Sequence, residues 1–281
     1  MAHWIHEGIS IGACQTVSPL DVVDTRILMM HALGLTRIQL ITQSEERLDA
    51  AQATRLDQLL ARRYDGEPIA YLIGEREFFG LPFHVTSDVL IPRHETELLV
   101  ELAVERAPQQ SRLLDMGTGS GAIAIAIAHQ RPDLTVTATD ISTAAVAVAQ
   151  HNADRNVPGS KMRLLPSDWF SALGDEQFDT IVSNPPYIVK DDHHLQQGDL
   201  RFEPIIALTD QADGLTGYRI IIQGAAQRLS AQGWLLMEHG YDQAAAVREL
   251  LTQHRFIEVQ SWIDLGGIER VSGGRLPEHP M

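Results

Sequence analysis

Cysteine is nearly absent: Cys14 is the single one in 281 residues. An internal disulfide framework and a cysteine-based zinc cluster are both excluded, and a reducing compartment fits. Positive charge is scarce as well. Lys and Arg number 22 against 37 Asp and Glu, for a formal net charge of −15. A free-standing binder of duplex nucleic acid carries a basic footprint, so direct nucleic-acid binding is not expected. No apolar run approaches the ~20 residues of a membrane span. Residues 1–10 lack the charged start and apolar stretch of a signal peptide. A cytoplasmic protein without a membrane partner is expected, and nothing demands more than a monomer.

Hydrophobic residues make up 44% of the chain, enough for a well-buried core in one large domain or two ordinary ones. The first third reads as a small helical bundle. Ser18-Pro19-Leu20-Asp21 looks like a helix start, with Ser at the N-cap and Pro at the first helical position. Apolar residues follow to Leu33, and Gly34 is a natural stop. Thr36 to Thr42 is ambiguous. A further helix begins near Asp49, carries Leu56, Leu59 and Leu60 on one face, and ends before Gly66. Phe78 to Val85 suggests a β-hairpin turning near Gly80. From Glu95 helical and strand patterns alternate, and two strands close the chain. The reading is a helical bundle over residues 1–74, a hairpin linker over 75–93 and an α/β domain over 94–281. That last part is a seven-stranded, mostly parallel Rossmann-like sheet with an antiparallel edge.

Two loops carry chemistry. The first, Asp115-Met116-Gly117-Thr118-Gly119-Ser120-Gly121, lies between the first parallel strand and its helix. Glycines there allow close backbone approach to a ligand at the positive end of a helix. No Lys-Ser/Thr follows, so this is not a Walker A phosphate loop. Asp140 ends the next strand, about 20 residues on, where an acid accepts from ribose hydroxyls. Together they indicate an adenine nucleoside cofactor. A nicotinamide dinucleotide and S-adenosylmethionine are both open, and the GxGxG spacing behind Asp115 leans to the second. Ser167-Asp168-Trp169-Phe170 adds a candidate ring, Trp169, to pack on adenine.

The second loop is Asn184-Pro185-Pro186-Tyr187, after the strand Phe178 to Ser183. Two successive prolines remove backbone donors and hold the chain extended. The result is a stiff loop bearing an amide, carbonyls and an aromatic ring. In a doubly wound sheet this loop faces the glycine loop across the switch point. An amide nitrogen is a poor nucleophile because its lone pair is delocalised. Transfer to it needs that lone pair aimed at the reacting carbon. Asn184 Oδ1 and the Pro185 carbonyl can accept the two N–H groups, and Tyr187 can stack on the planar group. No residue stands out as a dedicated base.

With both motifs in place the chain resembles class I S-adenosylmethionine-dependent methyltransferases of the Asn-Pro-Pro-Tyr type. More closely it resembles the bacterial release factor glutamine N5-methyltransferases, the HemK/PrmC family. The resemblance spans nearly the whole chain, through Gly66 to Gly74, Glu77 to Leu81, Leu90 to Arg93, Asp115 to Gly121, Ser167 to Phe170, Asn184 to Ile188, Phe202 to Pro204 and Asp213 to Leu215. It implies a class I peptide-chain release factor as protein substrate, methylated on the glutamine of its Gly-Gly-Gln loop. It implies cofactor contacts at Gly117, Thr118, Gly119, Ser120, Gly121, Asp140, Trp169 and Asn184. Substrate contacts fall on Asn184, Pro185, Pro186 and Tyr187, with Asn184, Pro185 and Tyr187 as the catalytic set. Where the family usually has Pro-Asp/Glu-Thr-Glu, this chain has His94-Glu95-Thr96-Glu97. A ribosomal-protein glutamine methyltransferase shares the second motif, and an adenine N6 or guanine N2 methyltransferase faces the same lone-pair problem. Asp191-Asp192-His193-His194 lacks metal-ligand spacing and reads as a solvated loop, so no metal is expected.

Overall fold

The structure is a computed structural model and describes residues 3–278. The backbone divides into two compact units, Met1–Glu75 and Arg76–Met281. Among the described residues no helix is long and apolar enough to cross a membrane.

Among the described residues the first unit holds five helices: α1 (Ile11–Val17), α2 (Val22–Leu33), α3 (Arg37–Thr42), α4 (Ala50–Tyr64) and α5 (Ile69–Ile73). Both α3 and α4 begin with reciprocal capping boxes, Thr36 with Gln39 and Asp49 with Gln52. Leu28, Met29, Leu56 and Leu60 close its core, with Cys14 buried among them. The expected start of α2 at Ser18 is one turn too early. Ser18 instead ends α1 in extended geometry, and its hydroxyl shares a 2.7 Å hydrogen bond with Thr25 Oγ1. Asp21 caps α2 by accepting from the Val23 and Asp24 amides at 2.8 and 2.9 Å.

The hairpin is β1 (Glu75–Phe78) and β2 (Leu81–His84). Phe79 and Gly80 both have positive φ, 53° and 76°, the two-residue turn whose twist matches the strands. A 3₁₀ turn, His94–Thr96, leads into α6 (Glu97–Arg106). The remaining α-helices and strands are β3 (Arg112–Met116), α7 (Ala122–Gln130), β4 (Thr135–Asp140), α8 (Thr143–Asn156), β5 (Arg163–Pro166), β6 (Phe178–Ser183), α9 (Ile205–Leu208), α10 (Thr216–Arg228), β7 (Leu229–Glu238), α11 (Ala244–Gln253), β8 (Ile257–Ile263) and β9 (Glu269–Arg275), with two further 3₁₀ turns at His193–Gln196 and Gly198–Phe202.

The seven large strands run β5-β4-β3-β6-β7-β9-β8, all parallel except β9, which is antiparallel to both neighbours. Strand order reverses at β3 and β6, so loops leaving their carboxyl ends flank one crevice. Helix α7 is apolar on every side, and residues 122–128 are all buried, because α6 and α8 enclose it on the sheet. Tyr218, Ile221 and Ile222 of α10 pack with Val247 and Leu251 of α11 in a second core. Buried parallel strands read as continuous apolar runs. Buried hydroxyls interrupt those runs at Thr137, Thr139, Thr180 and Ser183, and two acids are buried there as well, Asp115 within β3 and Glu238 ending β7, at 0% and 3% exposure.

Candidate active site

The two loops leave the sheet side by side. Met116 and Ser183 are register partners, and Ser183 Oγ donates to the Met116 carbonyl at 2.7 Å. The glycine loop is then folded back on β4. The Gly117 and Thr118 amides both donate to Thr139 O at 2.9 Å. Gly119 has φ 55°, and a Cβ there would meet nothing within 4 Å, so open space lies over the loop. At Gly121 a Cβ would press on Ile125 and Ala149, so this glycine serves the packing of α7 on α8.

Asp140 holds this loop from its carboxylate. Oδ2 accepts from the Gly119 amide and Oδ1 from the Ser142 amide, each at 2.9 Å. Burial raises its pKa, opposed by those backbone donors. Asp115 Oδ2 accepts from the Thr118 hydroxyl at 2.6 Å, while its Oδ1 is sealed from solvent with no partner. Burial pushes this carboxyl up to about 7. An unpartnered buried carboxylate oxygen beside an open loop suits a cationic group such as an ammonium. Asp140 retains lone pairs for a vicinal diol. The donor set therefore fits the aminoacyl and ribose parts of an S-adenosyl cofactor. Trp169, at φ 47°, is pinned by its own carbonyl accepting from Ser167 Oγ at 2.7 Å. Its indole and the Pro185 ring both border the space a Cβ on Gly217 would take. Asp168 is exposed.

The Asn184–Tyr187 segment has no regular structure and is clamped at its exit. The Tyr187 carbonyl accepts from Gln243 Nε2 at 3.0 Å, and a Cβ on Gly214 would collide with that same oxygen. Ile188 bridges to Thr209 in parallel. Asn184 is half-buried, and its Nδ2 donates to Thr96 Oγ1 at 3.5 Å. Burial raises the Tyr187 phenol, and the nearby Glu238 carboxylate adds to the rise.

Two residues of the site were not singled out in the sequence. Glu238 is pushed up to about 7, chiefly by burial, with the polar Thr96 and Asn184 side chains and the Arg270 charge opposing the rise. An acid ending the apolar run Trp234 to Met237 was its signal. Asn152 on α8 is fully buried and binds main chain alone. Its Nδ2 donates to His84 O and Ser120 O, both at 2.9 Å, and its Oδ1 accepts from the His84 amide at 2.7 Å. It ties the hairpin to the glycine loop. Elsewhere, Asp192, His193 and His194 bring their ligand atoms within 4.8 Å of one another, but both histidines are exposed and His194 Nδ1 is already bonded to Asp192. His94 is exposed at the entry to α6, 3.2 Å from Glu97.

The sheet order, the nucleoside loop after β3 and the amide-bearing proline loop after β6 are those of a class I S-adenosylmethionine-dependent methyltransferase. Residues 94–200 match the family described as Methyltransferase small domain, and residues 15–74 match the PrmC N-terminal domain. A release factor glutamine methyltransferase of Burkholderia pseudomallei (strain K96243) is 55% identical, covering 92% of this chain and 94% of that one. Its counterpart in Escherichia coli (strain K12) is 46% identical over 97% of this chain and 98% of its own. A methyltransferase structure from Pyrococcus furiosus has a TM-score of 0.55 at 19% identity, covering 77% of this chain and 97% of that one, a likeness of fold alone. The chain belongs to the release factor glutamine methyltransferase family.

Proposed function

We propose that this protein methylates the side-chain amide N5 of the glutamine in the Gly-Gly-Gln loop of class I peptide-chain release factors. When bound, S-adenosylmethionine supplies a methyl group on a sulfonium, an electrophilic carbon. The observation that carries the reading is the hydrogen bond from Ser183 to Met116, which fixes the roots of the two loops against each other. In this reading Gly117 to Gly121, Asp140, Trp169 and Asn184 hold the cofactor, and Asn184 to Tyr187 hold the glutamine.

The chain's own work is orientation. Asn184 Oδ1 and the Pro185 carbonyl accept the two amide hydrogens and turn the nitrogen lone pair toward the methyl carbon. Tyr187 lies against the amide plane. Positioning of this kind lowers a barrier without a strong base, since reacting atoms held ~3–3.5 Å apart gain effective concentration. As the N–C bond forms, the S–CH₃ bond of the sulfonium would break to leave the neutral thioether S-adenosylhomocysteine, and the nitrogen's proton would pass to water. Residues 1–74 serve substrate recognition and residues 94–281 catalysis, with 75–93 joining them. Support comes from the match of residues 15–74 to the PrmC N-terminal domain.

The test is incubation with methyl-labelled S-adenosylmethionine and a purified release factor. Label is expected in the factor and lost when its Gly-Gly-Gln glutamine is replaced by alanine. Label in a ribosomal protein or a nucleic acid, with none in the factor, would overturn the assignment.

A further inference from the structure

An amide has two chemically opposite ends of nearly equal shape. Asn184 can present its oxygen or its NH₂ to the substrate, and only the oxygen accepts from an acceptor amide. Something must forbid the flipped form. Asn184 Nδ2 donates to Thr96 Oγ1, and Thr96 is buried at 5% exposure. Behind both lies the Glu238 carboxyl: Met237 is the register partner of Ser183, so Glu238 stands beside Asn184 where β6 and β7 end, and Thr96 and Asn184 each favour its ionised form. Its Oε2 is sealed from solvent and without a partner.

We propose that Glu238 is a positioning residue that, directly and through Thr96, locks the Asn184 amide with Oδ1 facing the methyl acceptor. An ionised carboxylate only accepts. It therefore draws the Thr96 hydroxyl hydrogen inward, which leaves Thr96 Oγ1 to accept from Asn184. It also accepts from Nδ2 itself. Both amide hydrogens point into the protein, and Oδ1 is the atom left for substrate. A protonated Glu238 gains a donor and relaxes this polarity. The charged and titratable groups around it are Arg270 of β9, which favours ionisation, and Glu95 of the 3₁₀ turn, which opposes it. The Tyr187 and Tyr218 phenols also sense its charge, and His239 follows it in the chain.

This inference rests on the amide-transfer reading above. The test compares wild type, Glu238→Gln, Thr96→Val and Thr96→Ser at saturating cofactor and release factor across pH. Glu238→Gln is nearly isosteric but can donate. It is expected to lower kcat by about 10- to 100-fold, with KM for the factor and calorimetric affinity for S-adenosylmethionine within about twofold of wild type on the same scale of comparison. The wild-type kcat is expected to fall as pH drops through about 7, and that limb is lost in Glu238→Gln. Thr96→Val matches this loss, Thr96→Ser restores turnover, and Glu238→Gln adds little in the Thr96→Val background. Wild-type kcat in Glu238→Gln, or a loss that tracks cofactor affinity, would overturn the proposal while leaving the function intact. If Glu238→Gln fails to fold, Thr96→Val against Thr96→Ser decides. No transfer to the factor by wild type would overturn both.

Discussion

Asp115→Asn separates folding from cofactor binding in one substitution. Asp115 is fully buried, and its carboxyl is raised from 3.8 to about 7, first by burial, then by the Asp140 charge, against donation from Thr118 and the Ala124 amide. That rise corresponds to about 4 kcal/mol of preference for the neutral acid. Because the folded value lies above the unfolded one, stability is fully present below 3.8 and is lost as pH climbs through 7. About 40% of the loss has accrued by pH 5 and nearly all of it by pH 8. Asparagine cannot ionise, so the variant lacks this slope. It leaves a buried amide N–H without a partner, costing about 1–2 kcal/mol at every pH. Cofactor-free Asp115→Asn should therefore exceed wild type by about 2–3 kcal/mol at pH 8, and the gap should shrink by about 2.5 kcal/mol, nearly closing, at pH 5. Urea denaturation followed by tryptophan fluorescence reads this directly, since Trp169, Trp234 and Trp262 all lie in the larger unit. Glu238 titrates in the same range but is common to both proteins and cancels in the difference. If Asp115 faces the cofactor's ammonium as proposed, the variant should also bind S-adenosylmethionine about tenfold more weakly. A stability gap that does not change between pH 5 and pH 8 would refute the burial argument.

Asn184→Ala should lower kcat by about 10²–10³-fold with a much smaller change in cofactor affinity; wild-type single-turnover methylation would remove its orienting role. Asp140→Ala should weaken S-adenosylmethionine binding by at least about tenfold and cost about 2 kcal/mol of stability, because the Gly119 and Ser142 amides lose their acceptor. Calorimetry and urea midpoints check the two effects separately. Asn152→Ala strips partners from the His84 amide, His84 O and Ser120 O, and should cost about 3–5 kcal/mol. Hydrogen exchange should then show faster opening in both the hairpin and the glycine loop. Gly214→Ala should lower kcat and stability together, since its φ of 75° is strained for alanine and its methyl would strike the Tyr187 carbonyl.

Local chemistry was legible in the sequence, and contacts across it were not. The bounds of β6 follow from an apolar run halted by two prolines, and the structure has strand over those same residues, Phe178–Ser183. The glycine loop and Asp140 were legible because their spacing is imposed by one strand-helix-strand unit. Helix α1 was missed: it is seven residues long, contains Gly12 and has no acid in its first turn. Its presence moved the start of α2, because Ser18 could not both end one helix and cap the next. Glu238 resembles any acid at a strand end until β7 is seated beside β6. Asn152 resembles a solvent-facing polar residue of a helix. Its partner His84 is 68 residues away, a pairing no local pattern encodes.

Asn152 grips only main-chain atoms of His84 and Ser120. The clasp is therefore blind to which side chains the hairpin displays. Exposed positions such as Glu75, Glu77 and Gly80 can change without touching the anchor, whereas Phe78 and Phe83 are held by the core. A designer could rewrite the solvent-facing positions of the hairpin, provided the backbone at position 84, the asparagine at 152 and the core rings of Phe78 and Phe83 were kept.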